Sequence, residues 1–399
     1  MFKYLIILLS CSTFAFTFNE AVEELKNHNS LQAMKGSAKS LLEKSQKQAS
    51  WGDPMFKIAA KNLPVDSLKF DQTPMSGLEF GIGQKIALSN KYGKAGESQS
   101  AQAKSINYSA MDLEQALTKN LWANLIEYKR INNELDILKE NLSWISKMLK
   151  VSKKLYSNGR ITQQALLDIQ IRKSEVESEI SNKNFEIKQN KSQLKYLVGN
   201  KALSFNYKSI PWKLLDNNKN ESKDYRLSSL KENLKAKEYS LEQSKLAYIP
   251  DITVSVGYTI RSDEVDNNGD FIGAQITFPI PVSDDKSGAK GEAVANRYVA
   301  FKQLDDYKLK KSRDIEVIKD DISKLNAELS IISKKSVNFA QNSRSITSKS
   351  YGLGNSTYVE LLQSEIRLQK ILLKKVALES KLSMRKVDLK YTLGESLYE

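Results

Sequence analysis

The stretch "YSNGRITQQALLDIQIR" (Tyr156 to Arg172) returns 195 residues later as "YGLGNSTYVELLQSEIR" (Tyr351 to Arg367), aligned without a gap. The two copies share Tyr, Gly, Thr, Leu-Leu, Ile and Arg at the same places. The register persists on either side. "LKYLVG" (Leu194 to Gly199) falls on "LKYTLG" (Leu389 to Gly394), and "KYGKAGE" (Lys91 to Glu97) falls on "KSGAKGE" (Lys286 to Glu292). Self-similarity at one fixed offset signals duplicated architecture, and this offset is far longer than any short solenoid repeat. The chain therefore reads as two large structural halves.

Hydropathy patterning shows how each half is built. A helix is expected from about Asn19 to Gln48, then two extended segments near 55–61 and 78–88. A very long helical region covers about 96–156, and after a turn at Gly159 a second covers about 162–197. Residues 200–223 are polar and irregular, and read as the join between halves. The plan then repeats: helix 225–248, strands 251–261 and 271–282, a long helix, a turn at Gly354 and a final helix to about Leu393. All seven prolines fall outside the long helical stretches. At 1.5 Å per residue a helix of ~60 residues is about 90 Å long, more than a compact domain needs. With 40% hydrophobic residues, the composition is that of a folded, helix-rich chain.

The strands alternate. In "ITVSVGYTI", Ile252, Val254, Val256, Tyr258 and Ile260 point one way, and Thr253, Ser255, Gly257 and Thr259 the other. Ile272, Ala274, Ile276, Phe278 and Ile280 share one face of the fourth segment. Leu78, Phe80, Ile82, Ile86 and Leu88 oppose Glu79, Gly81, Gly83 and Lys85 in the second. A half-buried soluble strand alternates too. Strands of about ten residues with one apolar and one small or charged face also fit a membrane barrel with a wet interior. Four strands cannot close a barrel, so the barrel reading requires several chains to share one.

The N-terminus, "MFKYLIILLSCSTFA", carries one lysine, a short apolar run and Ala15 at a cleavable position. It reads as an export signal over residues 1–15, with "LLSC" also similar to a lipoprotein signal. Cys11 is the sole cysteine, which excludes a disulfide within the chain and a cysteine metal cluster. The net charge of +14 would suit nucleic acid, but the lysines lie along helices rather than among aromatics, and the chain is read as exported. Solvated helix faces account for them. Enzyme motifs are missing: there is no nucleophile elbow, zinc motif or phosphate loop, and the one histidine, His28, reads as a surface residue. No cofactor or metal is implied.

Six segments in order resemble the TolC family of outer-membrane efflux proteins. "FNEAVEELKNHNSL" (Phe18 to Leu31) is similar to that family's first helix, and residues 53–88 resemble its first β-hairpin, especially in the heavy-metal exporter branch. "YIPDITVSVGY" and "ITFPIPV" resemble the second hairpin, and the two Tyr-x-x-Gly turns the periplasmic tips. The resemblance implies a mainly α fold with a transmembrane β-barrel portion. Duplicated helical hairpins would form a trimeric α-barrel, and each chain would give four strands to a shared twelve-stranded barrel. On this reading 16–199 is the first repeat, 200–223 an equatorial segment and 224–399 the second repeat. The implied partners are two further copies, a periplasmic adaptor, an inner-membrane pump and outer-membrane lipid, with no nucleic acid.

The quoted turns then become tunnel tips. Gly159 and Gly354 supply positive φ, Thr162 and Thr357 cap the returning helices, and Tyr156 and Tyr351 lie one turn before. These six are the expected adaptor-docking residues. Leu166, Leu167 and Ile171, and likewise Leu361, Leu362 and Ile366, are expected to pack the returning helices. In the family, carboxylates beyond the second tip narrow the closed aperture. Glu360 occupies the first such position, while Gln363 departs from the acidic pattern at the second. Asp168 and Arg367 complete the expected aperture set. The competing reading is a soluble periplasmic coiled-coil adaptor or scaffold, its strands forming a small soluble sheet.

Overall fold

The computed structural model describes residues 16–217, 222–264 and 269–398. The expected export signal lies outside the described residues, as do 218–221 of the equatorial segment. Among the described residues, eight α-helices and four strands follow the anticipated order: α1 (Phe18–Leu25), α2 (Asn29–Ala49), β1 (Met55–Lys61), β2 (Gly77–Ala87), α3 (Lys91–Ser157), α4 (Gln163–Val198), α5 (Tyr225–Leu246), β3 (Asp251–Ile260), β4 (Phe271–Thr277), α6 (Asp285–Ile331), α7 (Val337–Leu353) and α8 (Tyr358–Leu393). Two compact units emerge, one of Met1–Gln32, Met111–Asp224 and Lys310–Glu399, the other of Ala33–Ala110 and Tyr225–Leu309. Both draw on both repeats. Among the described residues no helix is long and apolar enough to cross a membrane.

Three boundaries differ from expectation. The first helix is two helices, because the chain turns at 26–28 and restarts on His28. His28 Nδ1 accepts the Ser30 amide at 3.3 Å, and its carbonyl accepts the amides of Leu31 and Gln32. The fourth strand ends at Thr277 rather than Val282, since Pro279 and Pro281 lack the amide a ladder needs. Phe278 and Ile280 therefore fall beyond it. The long helix of the second half is broken by a π-turn at Ile332–Ser336, whereas its counterpart α3 runs 67 residues without interruption.

In the second unit the four strands form one antiparallel sheet in the order β1-β2-β3-β4. The halves meet at β2–β3, where Phe80 faces Tyr258, Ile82 faces Val256 and Ile86 faces Ile252. This register makes the alternating patterns of the strands coincide. Phe56, Ile58, Ile82, Val256, Tyr258, Ile272 and Ile276 share one face of the sheet, and all are exposed. The other face carries Lys57, Lys61, Glu79, Ser255 and Gln275, with Glu79 ion-paired to Lys57 at 3.0 Å and Lys61 at 2.9 Å. Gly257 lies opposite Glu79's neighbour Gly81, and a Cβ there would meet the Glu79 carboxylate at 2.5 Å, so glycine leaves room for the charge. Where strands pass into helix, Asp251 binds Lys85 (3.0 Å), Lys91 (2.8 Å) and the Tyr92 hydroxyl (2.8 Å).

The stretch 200–217 is less polar in place than in sequence. In the first unit, Ile210, Leu214 and Leu215 are buried, and Trp212 packs edge-on to Trp122 with centroids 5.7 Å apart. Trp122 also meets Phe18 at 4.9 Å, and its indole donates to the Leu397 carbonyl at 2.8 Å.

Candidate functional site

Both expected turns form, and both close in the same way. Gly159 has φ 70° and Gly354 φ 84°, the left-handed region that glycine enters without steric cost. The residue after each glycine donates back across the turn: Arg160 to the Leu155 carbonyl and Asn355 to that of Ser350, both at 2.8 Å. Each glycine amide bonds to its tyrosine's carbonyl, Gly159 to Tyr156 at 2.9 Å and Gly354 to Tyr351 at 3.0 Å. These bonds satisfy carbonyls that a helix end leaves orphaned.

The returning helices start on threonine. Thr162 Oγ1 accepts the Ala165 amide at 3.2 Å, and Thr357 Oγ1 accepts the Glu360 amide at 3.2 Å. Glu360 completes a capping box, its carboxylate accepting the Thr357 amide at 3.0 Å and the Ser356 hydroxyl at 2.5 Å. The Ser356 hydroxyl, followed by the Thr357 amide, holds the Glu360 carboxyl below the ordinary glutamate range. Ala165 stands at the equivalent place in the first tip, so only a single cap forms there.

The other site residues divide by environment. Asp168 accepts from the Gln164 side chain at 2.9 Å and from the Tyr358 hydroxyl at 3.0 Å, tying α4 to α8. The hydrogen bond to Asp168 raises the Tyr358 phenol above its ordinary value. Gln363 and Arg367 are exposed on α8. Tyr351 is 2% exposed, its hydroxyl 3.0 Å from Ser152 Oγ, and it packs with Met148 and Leu361. Tyr156 is 42% exposed.

The packing stripes need correction. The buried positions of α4 near its tip are Ala165, Ile169 and Val176, while Leu167 and Ile171 are exposed. On α8 Leu361 is buried as expected, but Leu362 and Ile366 are only half-buried; Ser364, Glu365, Leu368 and Gln369 join Leu361. A polar network missed in the sequence crosses between the hairpins. Gln369 accepts from Asn141 at 2.9 Å and from Arg172, and donates to Glu179 at 2.9 Å. Glu365, 2% exposed, sits 3.5 Å from Arg344, and burial pushes its carboxyl up despite that guanidinium. The available signal was spacing: Glu365 and Gln369 follow Leu361 at i+4 and i+8, on the buried stripe.

No family model and no curated protein matches the sequence. Solved structures share its fold. The outer membrane protein VceC of Vibrio cholerae superposes with TM-score 0.78 at 17% identity, over 95% of this chain and 96% of that one. CusC, solved in work on folding and transmembrane channel formation, gives 0.77 at 13% identity over 96% and 94%. The CmeC outer membrane channel of Campylobacter jejuni gives 0.75 at 14% identity over 94% and 85%. The likeness spans both chains nearly end to end, and with it the expected architecture stands: this chain has the fold of the TolC-like outer-membrane efflux channels.

Proposed function

We propose that the chain is one protomer of an outer-membrane exit duct, through which an inner-membrane pump and a periplasmic adaptor pass substrates outward. The observation that carries this is the sheet. Its apolar face is open along all four strands, its opposite face is mostly charged, polar or small apart from Met55 and Phe271, and its outer edges at β1 and β4 have no strand beside them among the described residues. In lipid each unpaired backbone group costs several kcal/mol, so such a sheet must be closed by others. Eight strands is about the bacterial minimum, and three copies supply twelve. The adaptor reading would need a small soluble sheet, and a soluble sheet does not leave so continuous an apolar face to water.

The exposed turns at Gly159 and Gly354 are the docking points for the adaptor in this proposal, and Tyr156, Thr162, Tyr351 and Thr357 shape them. Three copies would bring Glu360, with Asp168, Gln363 and Arg367 nearby, to the narrow end of the duct. A capped, ionised Glu360 suits a ring of negative charge, a common source of cation selectivity.

Membrane fractionation and unheated detergent gels test the reading. The expected result is an outer-membrane trimer. Val256→Arg places a charge on the lipid face at about 2–4 kcal/mol and should reduce insertion sharply, while Ser255→Arg on the wet face is tolerated. A detergent-free monomer, or equal yields from the two variants, would overturn it.

A further inference from the structure

The sheet sorts its charges as strictly as its apolar residues. Its four strands hold five charged side chains, Lys57, Lys61, Glu79, Lys85 and Asp251, and the register puts all five on the face opposite the apolar one. They fall into two triads. Glu79 holds Lys57 at 3.0 Å and Lys61 at 2.9 Å, toward the β1–β2 connection. Asp251 holds Lys85 at 3.0 Å and Lys91 at 2.8 Å, where the strands pass into helix. Between the triads this face carries no charge, since Gly81, Gly83, Ser255 and Gly257 fill it, with Gln275 beside Ser255.

Each triad sets two lysines against one carboxylate, an excess of one positive charge. One lysine would already neutralise the carboxylate. The exposures show which sign meets solvent. The side chains of Glu79 and Asp251 are 13% and 11% exposed, whereas those of Lys57, Lys61 and Lys85 are 58%, 42% and 46% exposed. The carboxylates lie beneath, and the ammonium groups stand over them. A hollow of about 370 Å³, lined in part by Lys57, Lys61 and Glu79, opens at the first triad. Along β2, the six-residue step from Glu79 to Lys85 spans about 20 Å, more than the ~8 Å screening length at physiological salt, so the triads act separately.

Rings of lysine or arginine favour anions in a pore, as rings of carboxylates favour cations. We propose that the barrel lumen draws in small anionic solutes, bearing carboxylate, sulfonate or phosphate groups, through two lysine belts at Lys57–Lys61 and Lys85–Lys91. This rests on the duct reading and names a chemical class of solute for its outer end. Lipid phosphate is not the partner, because the strands turn no charged residue to the apolar face. The duct then bears opposite signs at its two ends, lysines in the barrel and Glu360 at the tips.

The test uses the full chain in non-ionic detergent, with pyranine, a dye bearing three sulfonates, as the probe. Fluorescence anisotropy reads its binding to the trimer at about 20 mM salt, where charge is weakly screened. Lys57→Gln, Lys61→Gln and Lys85→Gln together leave neither belt an excess and should weaken binding on the order of tenfold. Glu79→Gln uncovers two lysines and should tighten it. Lys147→Gln, Lys150→Gln and Lys153→Gln together take the same charge from exposed positions of α3 and should leave binding near wild type. Unheated gels check each variant for the trimer. If the trimer persists and the two triple variants bind alike, the belts are overturned and the duct reading stands. If the strand variant loses the trimer, Glu79→Gln decides, and binding no tighter than wild type overturns the belts. If the wild type forms no trimer, the duct reading falls, and the belts with it.

Discussion

The two tips have one backbone and two sets of surroundings. Glycine and threonine at matching positions close both turns with the same hydrogen bonds. The side chains around them have diverged: Tyr351 is inside and Tyr156 outside, and a capping box on Thr357 faces a lone cap on Thr162. Duplication thus preserves what local backbone geometry demands. What each tip packs against depends on its position in the folded chain, and there the copies differ.

The largest expected break in this comparison comes from the tyrosines. Removing a buried aromatic side chain costs about 3–5 kcal/mol. Tyr351→Ala should loosen both hairpins, because Tyr351 bridges Ser152 and Leu361. Hydrogen exchange of amides near the second tip should accelerate on the order of 100-fold or more. Tyr156→Ala should leave the Met148–Leu361 cluster intact, with little change in exchange near the first tip. Equal exchange effects at the two sites would mean that the difference in burial has no energetic weight.

The glycines should behave alike. A β-branched residue at positive φ is strained by about 1–2 kcal/mol, so Gly354→Val and Gly159→Val should each disturb one tip by that amount. Trimer yield should persist, while export and adaptor cross-linking fall. Wild-type cross-linking in both variants would place docking elsewhere.

The smallest effect distinguishes the caps. Thr357→Ala and Thr162→Ala each remove a cap worth about 0.5–2 kcal/mol, with the larger loss expected at the second tip, where the Glu360 box goes with it. Folding lowers the Glu360 pKa below its ordinary 4.5, so its contribution is full above that value and is lost as pH falls through the lowered one. Protection at the second tip should therefore drop in acid, and Glu360→Gln should remove that drop. Buried Glu365, whose pKa is raised, acts in the opposite sense: its protonation in acid relieves a buried charge. The difference between wild type and Glu360→Gln isolates the cap. The first tip, with Ala165, should show no such loss. In planar-bilayer recordings the same Glu360→Gln variant should lower cation preference if the three carboxylates ring the aperture.

Much of this was legible in the residues. The turn at each tip could be placed from Gly159, Gly354, Thr162 and Thr357, because positive φ and an N-cap are demands a residue meets with its neighbours alone. The faces of the strands were legible for the same reason: alternation follows from the pleat. The packing stripe on α4 was not, since Leu167 and Ile171 look as suitable for a core as Ile169 and Val176. Which apolar residues are buried depends on how the helix is rotated against distant partners.

Sequence by itself determined the duplication, written in one fixed offset of 195 residues, and the order of elements, the two turns and the two-faced strands, which follow from interactions a few residues apart. Tertiary structure alone decided the β2–β3 seam that joins the halves, the burial of Glu365 beside Arg344, and the choice of Tyr351 over Tyr156 for the interior. Those depend on segments separated by twenty to two hundred residues, whose meeting is set by the packing of the whole chain rather than by any local preference.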